Sequence, residues 1–228
     1  MSDEPQEPSE LPDFDLNIDL RPVDTLHAIS ALKLYLEVME QQMPVIQLTE
    51  ISSLEAERPP GNDEEEQSIF SGYVSHLENL FEDDLIPSMR YSFIVLLHTV
   101  FETHLHGLCR KIQRERNLPL SLSDLRGSPV EQGRDYLTKL AGIKVSDYKE
   151  WGALLMFQKI RDCIVHHYGF LNLIDSRHKQ IRESAQNNPD IEITSQGRIA
   201  PGANFCSSQH AKVDSFFRRL MTDMGWDV

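Results

Sequence analysis

The sequence predicts an all-α fold with one small two-stranded ribbon. Apolar residues recur at helical spacing along most of the chain, and only one short stretch (IEIT, then Gly197, then RIA) has the character of two strands and a turn. Hydrophobic residues make up 40% and charged residues 25% of the 228 positions, which is enough for a globular core. The longest apolar run, 93–97, is far shorter than the roughly eighteen residues that a membrane span needs.

The acidic first part of the chain contains two predicted helices. The first covers 24–43, and Pro44 is predicted to end it. Its apolar positions recur every three or four residues: Leu26, Ile29, Leu32, Leu36 and Met39. Residues 57–63 (ERPPGND) have loop composition, and 65–82 form a second amphipathic stretch.

A long central helix is predicted to begin the second part of the chain. Pro87 suits its first turn, and the helix runs to about Arg116. Its first half (YSFIVLLHTVF) is apolar nearly all round, which is typical of a buried helix. Four further helices are predicted at 129–140, 147–171, 175–186 and 207–224.

Charge divides the chain near Pro87. The net charge is −14, yet residues 1–86 hold 21 acidic and only 3 basic residues, whereas the remainder has a small positive excess. Such asymmetry is typical of an interaction segment attached to a functional domain, although acidic residues that only solvate surface helices would give the same pattern. We therefore expect an acidic disordered or loosely docked tail at 1–22, an acidic helical extension at 23–86, and the main domain at 87–228.

The most informative segment is RDCIVHHY, from Arg161 to Tyr168. Six apolar residues form one arc of the helix predicted around it: Leu154, Phe157, Ile160, Ile164, Val165 and Leu171. Arg161 falls inside this arc, and because a guanidinium keeps its charge it needs an acidic partner there, for which Glu102 on the central helix is the candidate. Tyr168 is predicted to lie in the core. Arg161 and His166 lie about 140° apart on a straight helix, so they can meet at one ligand only through side-chain length, helix distortion or a second copy.

The order Arg161, Asp162, His166, followed by His167 and Tyr168, resembles the Arg-x4-His signature of the HEPN superfamily (higher eukaryotes and prokaryotes nucleotide-binding domains), in its ribonuclease and toxin branch. The resemblance covers about residues 87–225, with Glu102 as the acidic residue of an early helix. It implies a HEPN-like helical bundle, a homodimer whose two motifs line one cleft, and cleavage of RNA without a metal or other cofactor. An antitoxin or inhibitory protein is a further implied partner.

The residue types suit attack of a ribose 2′-OH on its own phosphodiester. The imidazole of His166 can act as general acid or base, while Arg161 can bind the phosphate. Asp162 is a candidate for orienting an imidazole or polarising the attacking group. His167 is either a second proton carrier or a surface residue. In the paired toxins that this motif resembles, the tyrosine matching Tyr168 is nucleotidylated by the antitoxin, which is a second possible role beside packing.

Seven basic residues are candidate contacts to the RNA backbone: Arg110, Lys111, Arg114, Arg116, Arg177, Lys179 and Arg182. Two other functions stay open. His98, Glu102 and His106 recur every fourth residue and could supply metal ligands, although no second helix offers a matching set. A HEPN-like fold could also serve as a catalytically inactive nucleotide-binding or protein-interaction module.

The cellular setting is predicted from the cysteines and from the start of the chain. Three cysteines cannot form a closed disulfide framework, and none lies in a CxxC pair. The opening MSDEPQEPSE resembles neither a signal peptide nor a transit peptide. We therefore expect a soluble, cytoplasmic protein in a reducing environment, with no membrane partner.

Overall fold

The computed structural model describes residues 19–61, 63–172 and 174–226. These residues form helices joined by short loops and one antiparallel hairpin, which confirms the predicted all-α class with its small ribbon. The helices are α1 Arg21–Ala56, α2 Glu64–Asn79, α3 Ile86–Glu115, α4 Pro129–Lys139, α5 Trp151–His167, α6 Ser176–Gln186 and α7 Ala203–Asp223. The strands are β1 Ile191–Ile193 and β2 Ile199–Pro201, and a π-helical segment, Leu80–Leu85, joins α2 to α3. Among the described helices, none combines the length and the apolar character needed to cross a bilayer.

Helix α3 is the centre of the core, as its apolar sequence predicted. It packs against α1, α4, α5 and α7. Phe93, Ile94, Leu97 and Leu105 are fully buried on one arc of it, whereas Ser92, Leu96, Thr99 and Thr103 form an exposed stripe on the other side. Because α3 packs on α5, the residues of α3 that face α5 lie beside the motif at 161–168.

Helix α1 belongs to the same core as α3. Its residues Ile29, Leu32 and Leu36 are buried in the cluster that also contains α3 and α7, and Nε2 of His210 lies 2.8 Å from the carbonyl oxygen of Ile29. The division of the chain near residue 86 is therefore a change of charge and not a change of core. Most of the predicted acidic tail, residues 1–18, lies outside the described residues.

The prediction that Pro44 ends the first helix is wrong, because α1 continues to Ala56. A proline inside a helix loses one N–H donor and crowds the carbonyl four residues earlier, here that of Glu40. Pro44 is exposed, so water can reach the freed carbonyl region, and α1 gains contacts with α2 further along. The carbonyl that loses its partner is therefore left to water, and the helix continues through the proline.

Candidate functional site

Arg161 is held by three side chains that α3 and α5 bring together. Its Nε donates to Nδ1 of His98 at 3.1 Å, its Nη2 to Glu102 at 2.8 Å, and its Nη1 to the neighbouring Asp162 at 2.9 Å. The predicted contact between Glu102 and Arg161 is thus present. The side chains of this pair are only 20% and 18% exposed, so the guanidinium is neutralised where it enters the apolar arc.

The same cluster determines the ionisation of Glu102. Burial alone would raise the pKa of this carboxyl group, but its contacts with His98 and Arg161 outweigh burial and hold the pKa below the usual value. Because Nδ1 of His98 accepts from Arg161, a neutral His98 ring has its proton on Nε2. Among the described residues this buried Nε2 has no hydrogen-bond partner and lies in a ring that packs against Phe157.

Replacing Glu102 with glutamine is expected to lower the free energy of unfolding by about 1–2 kcal/mol near neutral pH, because one charge of a partly buried pair is removed. A carboxylate with a lowered pKa in the folded state contributes stability above its unfolded value of 4.5, and that contribution is lost as the pH falls through the lower folded value. The difference between wild type and variant should therefore shrink under acid conditions. Urea titrations at several pH values measure it.

Glu78→Gln is the matched control, because Glu78 is an exposed carboxylate on α2. It should change the free energy of unfolding by less than about 0.5 kcal/mol at any pH. A Glu102→Gln variant that behaves like this control would contradict a stabilising pair between Glu102 and Arg161.

Helix α5 ends earlier than predicted, and this changes the position of Tyr168. The helix stops at His167, where Tyr168 adopts the left-handed conformation with φ 51° and Gly169 follows with φ 80°. The predicted continuation to Leu171 and the core position of Tyr168 are both wrong, since Tyr168 is 51% exposed. Its hydroxyl lies 3.2 Å from Oγ of Ser88, and the guanidinium of Arg198 stacks over its ring at 5.4 Å.

The last turns of α5 and the start of α6 enclose a small cavity of about 110 Å³, here called the α5–α6 pocket. Three residues predicted from the motif line it, namely Asp162, His166 and His167. Four more residues complete the lining: Lys159, Cys163, Arg177 and His178. Arg161 does not line the pocket, so one copy of the chain does not bring the guanidinium of Arg161 and the ring of His166 to the same space.

Sequence reasoning missed His178, the most firmly held imidazole of the pocket. Its Nδ1 accepts the backbone N–H of Asn172 at 2.7 Å, and its ring meets that of His167 edge to face with centroids 4.8 Å apart. Burial lowers the pKa of His178, and His167 and Arg177 lower it further against the opposing effect of Asp175. Because Nδ1 accepts the N–H of Asn172, the ring has its proton on Nε2. The sequence signal that could have located His178 is Asp175, the N-cap residue of α6. It sets where α6 begins and therefore which side of the helix His178 occupies.

The pocket combines proton carriers with positive charge. Lys159 and Arg177 supply basic side chains at its edge, where Nη2 of Arg177 lies 3.1 Å from Asp175 and Lys159 donates to Gln180. Asp162 is the one carboxylate among the residues that line the pocket. Asp162 also accepts from Arg161, so it connects the pocket to the buried cluster on α3. Three imidazoles, two cations and one carboxylate can bind a phosphate group and move protons around it.

The predicted RNA-backbone residues separate into two groups. Lys111 is buried and directed away from solvent: it is 8% exposed, its Nζ lies 2.6 Å from Glu115, and it packs over the ring of Trp226. Arg116 donates to the carbonyl of Ala141 at 2.6 Å, which fixes the loop after α4. The exposed residues Arg110 and Arg114 lie at the far end of α3 from Ser88, roughly 33–39 Å away along the helix axis.

The second basic group lies on α6. Arg177 lines the α5–α6 pocket. Lys179 is exposed and lies 3.9 Å from Glu183, and Arg182 is partly exposed. Of the seven predicted backbone contacts, Arg177 is therefore the one that the fold places at the pocket among the residues described.

The candidate metal ligands of α3 make contacts with other groups of the protein. Nδ1 of His98 accepts from Arg161, and Nε2 of His106 lies 2.8 Å from the carbonyl oxygen of Pro129. Within the described ranges, no group of three or more His, Cys, Asp or Glu side chains is arranged to hold a metal ion.

Compared with known proteins, the chain matches no protein-family model, no curated protein and no solved structure.

Proposed function

We propose that the protein is a metal-independent endoribonuclease that cleaves RNA at the α5–α6 pocket. The observation that carries this proposal is the meeting of His166, His167 and His178 with two cations in one cavity. Attack by a 2′-OH needs one group to take its proton, another to protonate the leaving oxygen, and positive charge for the phosphorane, and the pocket contains all three kinds of group. The HEPN-like motif at 161–168 supports the same reaction.

Four residues of the pocket have roles that follow from their positions and contacts. His166 is exposed and can reach an incoming phosphodiester, so it is the proposed proton carrier. His178 carries its proton on Nε2, which makes it a hydrogen-bond donor to the phosphate or the leaving oxygen. Lys159 and Arg177 attract the phosphate.

Arg161 has a different role from the one that the motif alone predicted. In a single copy of the chain its donors are directed at His98, Glu102 and Asp162, so it acts as a positioning residue for Asp162. The resemblance predicts a homodimer, in which Arg161 would reach a phosphate held by another copy. It also predicts an inhibitory partner protein.

A second candidate function is phosphate or nucleotide binding without cleavage. The engagement of the Arg161 guanidinium favours it, because a cation held by three side chains has little capacity left for a phosphate. The pocket would then use Lys159 and Arg177 for binding alone.

Incubation of single-stranded RNA and of DNA with the same base order, both in excess chelator, tests the proposal. RNA should be cut and DNA left intact, because only RNA carries the attacking 2′-OH. Intact RNA that is retained by the protein would contradict cleavage and support the binding function. Cleavage of RNA that occurs only when the chelator is left out would contradict the metal-independent reaction.

A further inference from the structure

Helix α1 has apolar side chains on two opposite faces. The inner face supplies Ile29, Leu32 and Leu36 to the core. On the opposite side, four large apolar residues are between 45% and 66% exposed: Leu34, Val38, Val45 and Leu48. A helix that only covers a core needs one apolar face, so the second face requires its own explanation.

The exposed apolar residues have the spacing of a coiled-coil seam. Five positions follow one another at alternating steps of four and three residues: Leu34, Val38, Gln41, Val45 and Leu48. This is the spacing of the a and d positions of a heptad repeat, with valine at a and leucine at d. We call these five residues the outer stripe. Valine at a and leucine at d favour two-stranded pairing.

The residues beside the outer stripe are nearly free of charge. At the flanking e and g positions stand Ser30, Tyr35, Glu37, Gln42, Pro44, Thr49 and Ile51. Glu37 is the one charged residue among them, and it lies 3.8 Å from Lys33 on the same helix. Although the chain has a net charge of −14, this surface lacks the like charges that would repel an identical surface.

We propose that the outer stripe of α1 pairs with the outer stripe of a second copy of this chain, as a short two-stranded coiled coil. A twofold interface places equivalent residues opposite one another, and the amide of Gln41 can both donate to and accept from its counterpart. Helix α1 packs on α3 and α7, whereas the α5–α6 pocket lies on α5 and α6. The pairing therefore leaves the pocket of each copy open and does not depend on the proposed function.

Sedimentation of the full chain at about 1–100 µM tests the proposal, since a dimer dissociates on dilution. Wild type should be dimeric at the upper concentrations. Leu48→Glu should weaken the dimer at least about tenfold, because it puts a charge into the seam. Ile46→Glu is the matched control: Ile46 is 45% exposed on the same helix but points about 100° away from Val45, so its dimer should stay intact. Gln41→Leu should tighten the dimer, because a polar d residue is replaced by leucine.

Two results would overturn the proposal: a wild type that is monomeric at every concentration, and equal dissociation of both glutamate variants. If wild type is monomeric and the melting temperature falls in Leu48→Glu but not in Ile46→Glu, the chain covers the stripe itself. RNA cleavage is measured separately, so failure of the dimer and failure of the nuclease activity are distinguishable.

Discussion

Replacing His166 with alanine is expected to slow RNA cleavage by about 10²- to 10⁴-fold, the usual contribution of a positioned general acid or base. His166 lines the α5–α6 pocket and is exposed, so its loss removes a proton carrier without opening the core. RNA binding should change far less, because Lys159 and Arg177 remain. Initial rates on a labelled RNA in chelator, together with a binding titration, measure the two effects.

His76→Ala is the control for this prediction, because His76 is an exposed histidine on α2, outside the pocket. It should cleave RNA at the rate of wild type. Equal rates for wild type and His166→Ala would remove His166 from the reaction, and parallel losses of binding and cleavage would assign it to substrate binding alone.

Replacing Gly169 with alanine is expected to lower the free energy of unfolding by about 2–5 kcal/mol. Gly169 has φ 80°, which an alanine adopts only with strain. A Cβ atom there would also overlap Oη of Tyr91 and lie 2.8 Å from its Cζ. Tyr91 is buried and its hydroxyl donates to the carbonyl of Ile199, so the ring cannot move away without losing that contact. Urea denaturation measures the loss.

Gly197 separates the two causes, because it has nearly the same backbone angle, φ 79°, with no atom within 4 Å of a Cβ placed there. Gly197→Ala should therefore show only the backbone strain, about 1–2 kcal/mol. Similar losses for the two variants would contradict the tight approach of Gly169 to Tyr91. A larger loss for Gly169→Ala, accompanied by weaker RNA cleavage, would connect the end of α5 to the shape of the pocket.

The elements that the sequence predicted well depend on local signals. Ser128 and Pro129 at the start of α4 and Asp175 at the start of α6 are capping residues with predictable effects, and both helices begin within a residue or so of the prediction. The contact of Glu102 with Arg161 was predictable for a similar reason, because a permanent charge in an apolar arc requires an opposite charge from the helix that packs on it.

The features that the sequence did not reveal depend on contacts between distant residues. The left-handed turn at Tyr168 is favoured by Gly169, yet the close approach that demands a glycine there comes from Tyr91, far away in the sequence. His178 joins the pocket only because α6 folds back on α5. The sequence also did not reveal that Arg161 lies outside the pocket, because this depends on which side of α5 faces α3.

The chemical ends of the RNA fragments test the central claim most directly, namely that imidazoles in the α5–α6 pocket catalyse attack by the neighbouring 2′-OH. Mass spectrometry of fragments produced by wild type in chelator should show a 2′,3′-cyclic phosphate on one side of each cut and a 5′-OH on the other. Fragments with a 5′-phosphate and a 3′-OH would require water as the attacking group and would contradict the account.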